Sequence, residues 1–68
     1  MIILGYTFQK PTWTRTAALA HLKALGVPSG TFEERPHCFR YDAPVDPRKY
    51  RRRVKNLGGG ITVFHGVK

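Results

Sequence analysis

Apolar and polar positions along the chain change their spacing several times, and each spacing predicts an element. Residues 2–8 are mostly aliphatic, β-branched or aromatic and carry no charge, which favours a first strand that Lys10-Pro11 ends. Ala18, His21, Leu22 and Leu25 then recur at i, i+3, i+4 and i+7, the spacing of one helix face. The next segment is therefore predicted to be a helix.

The ends of this helix carry their own signals. Thr12 is a suitable N-cap for a helix that begins at Trp13, and Gly26, followed by Val27-Pro28, is a typical stop. We expect Trp13 to anchor the core rather than to serve as an exposed stacking platform, since an aromatic residue in the first turn of a lone helix usually packs inward.

Alternation returns in the second half of the chain. Residues 37–41 place His37, Phe39 and Tyr41 on one face of a strand. Residues 50–56 and 61–67 alternate in the same way, and Gly58-Gly59-Gly60 between them supplies a hairpin turn. Residues 31–34 are a weak candidate for a short edge strand before Pro36 and are not counted in the order of elements. The result is a β-α-β-β-β order.

The predicted fold is therefore α+β, with one small antiparallel sheet and one helix packed on one face. At 68 residues the chain has room for a single domain over residues 1–68 and a single core. The large apolar side chains suffice for such a core and not for a deep pocket. They are Phe8, Trp13, Leu22, Leu25, Phe32, Phe39, Tyr41, Val54, Ile61, Val63 and Phe64.

The charge of the chain indicates what kind of partner it binds. Twelve Lys and Arg residues against four Asp and Glu residues give a formal charge of +8, which implies an acidic partner. All four acidic residues precede Pro47, whereas basic residues dominate the remainder of the chain. The predicted binding site comprises this basic segment and one arginine of the preceding strand: Arg48, Lys49, Tyr50, Arg51, Arg52, Arg53, Lys55 and Arg40.

Three interpretations of the basic segment stay open. It neutralises phosphates of DNA or RNA while Tyr50 stacks on a base or packs inside; it docks on an acidic protein surface; or it is a solvated edge strand protected from aggregation. About five phosphate contacts predict a several-hundred-fold loss of affinity between about 50 and 200 mM salt. Alternation assigns the footprint to Arg51, Arg53 and Lys55, with Val54 turned inward.

Other chemistry has little support in the sequence. His21, His37, His65 and Cys38 do not match the spacing of a zinc site, and the glycine triplet lacks the lysine and helix of a phosphate-binding loop. We predict no catalytic residues, no metal and no cofactor, and so no enzyme. The single cysteine and the lack of a membrane-length apolar stretch favour a soluble cytoplasmic protein.

The chain also resembles a small domain of unknown function found in tailed-bacteriophage and prophage proteins. The resemblance rests on the order of short motifs: Phe8, Trp13-Thr14, Ala18, Leu22, Gly26, Arg40-Tyr41, Asp46-Pro47, Tyr50-Arg51, Leu57-Gly58, Gly60-Ile61 and Gly66. It implies a viral context and a βαβ-type fold, and no reaction. His21, the loop before Asp46 and the number of arginines depart from the pattern.

Three functions suit a small basic protein of this kind. We expect a nucleic-acid-binding protein that contacts the backbone largely without sequence preference. The alternative is a phage-encoded inhibitor that docks on a host protein or defence complex in the host cytoplasm. The third is a structural component of the particle, which would form a symmetric oligomer. A homodimer through an edge strand is compatible with any of them.

Overall fold

The computed structural model describes residues 2–68. Five strands and one helix are arranged along the chain in the order β1 (Ile2–Gln9), α1 (Arg15–Leu25), β2 (Thr31–Glu34), β3 (Cys38–Asp42), β4 (Arg51–Gly58) and β5 (Ile61–Val67). A short 3-10 helix, Pro47–Lys49, precedes β4. The predicted α+β class is confirmed. The four-strand count was wrong, because residues 31–34 do pair with β3 as a short edge strand.

The sheet is antiparallel throughout, with the strand order β2-β3-β1-β5-β4. Its register explains the core. Tyr6 of β1 lies opposite Tyr41 of β3 and Val63 of β5, and Phe8 lies opposite Phe39 and Ile61. Because opposed residues point to the same face of a sheet, these apolar side chains form one surface. That surface is the one on which the helix packs.

The helix begins two residues later than predicted and ends where predicted. Thr14, rather than Thr12, is the N-cap, and its hydroxyl accepts a hydrogen bond from the Ala17 amide at 3.1 Å. Trp13 lies in the preceding turn, where its amide bonds to the Gln9 carbonyl. Gly26 ends the helix in the left-handed conformation with φ of 71°.

The core lies between α1 and the three central strands. Ala18 and Leu22 of the helix stripe are buried against the aromatic residues of β1 and β3. Trp13 packs on Phe8 with ring centroids 5.0 Å apart, which fits its predicted role as an anchor. Its indole N–H also donates to the Gly59 carbonyl at 2.7 Å, so the start of the helix is tied to the β4–β5 turn.

Two residues predicted for the core are exposed instead. Leu25 is 47% exposed and Val54 is 59% exposed. One helix is about 10–12 Å across and strands are about 4.8 Å apart, so a single helix covers only about two or three strands. Leu25 is the last residue of the helix, and Val54 belongs to β4, the outermost strand of the sheet.

The opposite side of the sheet carries a mixed set of side chains, and we call it the open face. The register brings together residues that alternate with the core positions of each strand. Its members include Thr7, Arg40, Asp42, Arg52, Val54, Thr62 and Phe64. At one end of this face the segment after β3 approaches through Ala43, Val45 and Pro47.

The last two strands form the predicted hairpin. Gly59 and Gly60 are the two turn residues, with φ of 61° and 81°. Positive φ at both positions is what a two-residue turn of the I′ type requires, and glycine adopts it without strain. The turn therefore holds the basic strand β4 in register with β5.

Candidate nucleic-acid interface

All four carboxylates are engaged by basic side chains outside β4. Each forms an ion pair at the protein surface. Three of the pairs join residues two positions apart in sequence, and the fourth joins the connection between β1 and α1 to β2. They are Lys10–Glu34 at 2.7 Å, Arg35–Glu33 and Arg40–Asp42 at 3.1 Å, and Arg48–Asp46 at 3.2 Å. No acidic side chain is thus left to neutralise the C-terminal third.

The remaining cations are concentrated after Pro47. Within residues 2–68, the basic side chains that form no ion pair are Lys23, Lys49, Arg51, Arg52, Arg53, Lys55 and Lys68. Six of these seven belong to the segment that contains β4 and β5. Since the charge is not compensated within the fold, this end of the molecule carries a strong positive potential.

Strand β4 presents these cations to solvent along its whole length. Every residue of Arg51–Gly58 is exposed. The predicted inward position of Val54 was wrong: Val54 lies opposite Phe64 on the open face, beyond the reach of the helix. The strand contributes no buried side chain to the core, and its pairing with β5 holds it in place.

The basic side chains of β4 lie on both faces of the sheet. Arg51, Arg53 and Lys55 oppose Val67, His65 and Val63 and share the helix side of the sheet, so the alternation predicted for these three is seen in the register. Arg52 lies on the open face. Successive members of one row are about 6.8 Å apart, and the row spans about 14 Å. This row and Arg52 on the other face together form the cationic edge.

The other predicted site residues are distributed unevenly. Arg48 and Lys49 lie in the 3-10 helix, and only Arg48 is paired. Tyr50 is half-buried and packs over Gly66, where an added Cβ would lie 2.9 Å from the tyrosine side chain. Lys68 lies over the same ring, 5.8 Å from its centroid. Tyr50 therefore packs against β5, and its stacking on a base stays a prediction.

Arg40 is separated from β4 by two strands, β1 and β5. Its side chain is on the open face, where Nε donates to the Asp42 carboxylate at 3.1 Å. Three strand spacings, about 14 Å, separate it from the β4 backbone. The structure therefore does not place Arg40 in the cationic edge, but it does place Arg40 on the same face as Arg52.

Phe64, like Val54 opposite it, lies outside the core. It was predicted to be core, yet it is half-buried on the open face, with the Arg52 guanidinium 5.4 Å from its ring centroid. Alternation carried the signal, because neighbours in a strand face opposite ways and Val63 is in the core. A cleft of about 370 Å³ adjoins this ring.

The histidines and the cysteine are dispersed. In the described part of the chain no three His, Cys, Asp or Glu side chains are close enough to hold a metal ion. His21 packs against the rings of Phe8 and Trp13 at 5.8 and 5.3 Å. Cys38 is half-buried with a free thiol. Separately, no helix within residues 2–68 has the length and apolar character needed to cross a membrane.

Two ionisable groups outside the cationic edge have shifted pKa values. Burial raises the pKa of the Tyr41 phenol, with a smaller contribution from Tyr6, and the hydroxyl donates a hydrogen bond to the Pro28 carbonyl. The hydrogen bond and the charge of Lys10 lower the pKa of Glu34. Both groups lie on other strands than β4, Tyr41 on β3 and Glu34 on β2.

Comparison of the chain with models of protein families, with curated proteins and with solved structures finds no match. The geometry of the described residues therefore carries the functional argument.

Proposed function

We propose that this protein binds nucleic acid through the phosphate backbone, largely without sequence preference, and that β4 is the contact surface. One observation carries the proposal. Four cations without ion-pair partners occupy five consecutive positions of a fully exposed strand: Arg51, Arg52, Arg53 and Lys55, with Val54 among them. Polyanionic phosphates are the partner that such a surface attracts.

The density of charge favours a ligand over simple protection of the sheet edge. A few charges are enough to prevent an edge strand from pairing with another chain. Strand β4 carries four on two faces, and Lys49, two residues before the strand, adds a fifth. Like charges this close repel one another and destabilise the folded chain, a cost that a bound polyanion removes.

The row of Arg51, Arg53 and Lys55 also has a suitable length. One strand of a duplex carries a phosphate about every 3.4 Å of helix axis, so a row of about 14 Å faces about four phosphates. The same repulsion disfavours a homodimer formed by two antiparallel copies of β4, because arginines would oppose arginines.

The helix supports contact with the backbone rather than readout of bases. Its buried stripe, Ala18 and Leu22, packs on the sheet, and Arg15 is engaged by Glu34 and by the Phe32 ring. No other helix of eight or more residues is present in the described chain. A recognition helix for the major groove would need its own exposed polar face. We infer a modest sequence preference, in keeping with a small basic protein of phage or prophage type.

A salt titration of the wild-type protein tests the proposal. Fluorescence anisotropy with a labelled generic duplex and a single strand is measured at several salt concentrations. In parallel, tagged protein is used to capture partners from nuclease-treated host lysate. The proposal predicts micromolar or tighter binding with a steep salt slope. Absence of nucleic-acid binding together with capture of one specific host protein would overturn it in favour of the inhibitor.

A further inference from the structure

The open face has a recess beside Phe64. Across the sheet, Phe64 of β5, Gly5 of β1 and Asp42 of β3 are in register. Gly5 has no side chain, and an added Cβ would collide with the Tyr41 carbonyl oxygen. Phe64 and Asp42 are two strand spacings apart, about 10 Å between backbones, and the residue in register between them is Gly5.

The walls of this recess are chemically distinct. Its volume is about 370 Å³, within the usual range for ligand sites. Buried Leu4 lines it, Phe64 forms an aromatic wall, and the ion-paired Arg40 and Asp42 form a polar one. Arg52 adjoins Phe64 and belongs to the cationic edge. An apolar and aromatic recess with hydrogen-bonding groups at one side suits a flat heterocycle.

The recess lies beside β4, the proposed contact surface for the phosphate backbone. Arg52 and Phe64 are diagonal neighbours across β4 and β5, since Arg52 pairs with Gly66 and Val54 pairs with Phe64. A polyanion bound along β4 therefore passes next to the aromatic ring. The contact between Arg52 and the ring is an exposed cation–π interaction, which is weak enough for the guanidinium to turn towards a phosphate.

We propose that this recess holds a nucleobase stacked on Phe64, and that the protein consequently prefers single-stranded nucleic acid to duplex. The inference rests on the proposed function and specifies its substrate class. Aromatic side chains stack on the faces of unpaired bases, whereas a duplex keeps those faces stacked on neighbouring bases. The charge of the adjoining strand selects a polyanion over other ligands that carry flat rings.

Substitution at Phe64 tests the inference. Phe64→Leu keeps an apolar side chain and removes the ring, and Phe64→Tyr keeps the ring. The matched control is Phe32→Leu, which alters another half-buried aromatic residue on the helix side of the sheet. Dissociation constants are measured by anisotropy with a labelled 12-nucleotide single strand and with the corresponding duplex, after circular dichroism has shown that each variant is folded.

The wild-type protein is expected to bind the single strand more tightly than the duplex. Phe64→Leu should weaken single-strand binding by about 5-fold to 150-fold and duplex binding by less than 2-fold, while Phe64→Tyr and Phe32→Leu retain the wild-type preference. Equal wild-type affinity for both probes, or a Phe64→Leu variant with unchanged single-strand affinity, would overturn the inference and leave backbone binding intact. Binding of neither probe would overturn both proposals.

A second measurement covers the case in which Phe64→Leu does not fold. Phe64→Trp adds an indole at the recess of a chain whose other tryptophan, Trp13, is partly buried beneath the opposite face. Emission beyond the wild-type baseline should be quenched by the single strand and not by the duplex. Unquenched emission at saturating single strand would show that no base contacts this position.

Discussion

Neutralising one row of β4 is the perturbation with the most specific consequence. The triple substitution Arg51→Gln, Arg53→Gln and Lys55→Gln removes three cations that lie on the same side of the strand. All three side chains are exposed, so the change removes charge without opening a cavity. We expect the variant to fold and to lose most of its affinity for nucleic acid.

The magnitude follows from the count of unpaired cations. Arg48 is paired with Asp46, so the basic segment offers five: Lys49, Arg51, Arg52, Arg53 and Lys55. Five phosphate contacts on a duplex give a slope of log affinity against log salt of about −4.5, or about 500-fold between 50 and 200 mM. The triple variant retains two, with a slope of about −1.8 and about a 12-fold loss.

The assay is anisotropy with one labelled duplex across that salt range, for the wild-type protein and two variants. The control variant carries Arg15→Gln, Lys23→Gln and Arg35→Gln, which lowers the formal charge of +8 by the same three units away from β4. It should keep a slope near −4.5. If both triple variants had the same slope, net charge and not the β4 surface would govern binding, and the assigned footprint would be refuted.

Three further predictions concern the scaffold. Because burial raises the pKa of Tyr41, folding favours the protonated phenol. The free energy of unfolding that this difference contributes should be fully present below about pH 10 and lost as pH rises through the higher folded pKa. Tyr41→Phe should abolish that loss, measured by urea titrations across this pH range. Trp13→Phe removes the hydrogen bond to the Gly59 carbonyl and should cost about 0.5–1.5 kcal/mol, seen by calorimetry as a lower Tm; an unchanged Tm would mean that the bond is not made in solution. Val54→Ala should cost less than about 0.5 kcal/mol and Val63→Ala about 2 kcal/mol in denaturant unfolding, and the reverse ranking would place β4 in the core.

Local features of the fold were predictable from the sequence. The i, i+3, i+4, i+7 stripe identifies the helix because its period is a property of neighbouring residues, and Gly26 ends it for a local steric reason. The β4–β5 turn is equally local, since consecutive glycines permit positive φ. The predicted N-cap was misplaced by two residues because Thr12 and Thr14 carry the same hydroxyl. They are distinguished only by the hydrogen bond from the Trp13 amide to the Gln9 carbonyl, which places Trp13 in a turn before the helix.

Features that depend on sheet order were not predictable. Val54 alternates like a core residue, and its exposure results from β4 lying at the edge, outside the width of one helix. The pairing of β1 with β5 shifts between Ile3 and Gly5, and this irregularity places buried Leu4 in the lining of the recess on the open face. Neither strand order nor a bulge is encoded in a local pattern.

The candidate site, like the fold, was predictable from the sequence only in part. The concentration of cations in the basic segment is visible in the printed sequence, whereas the pairing of every carboxylate elsewhere is visible only in three dimensions. The role proposed for Phe64 depends on its juxtaposition with Arg52, Gly5 and Asp42, which come from three other strands.

Amide chemical-shift mapping is the most direct test of nucleic-acid binding by β4. A ¹⁵N-labelled sample is titrated with an unlabelled 12-nucleotide single strand at about 50 mM salt. We expect the largest shifts on residues 49–55 and on Phe64, and little change in β2 and on the exposed side of α1. Shifts confined to β2 or α1, or no shifts at saturating oligonucleotide, would contradict it.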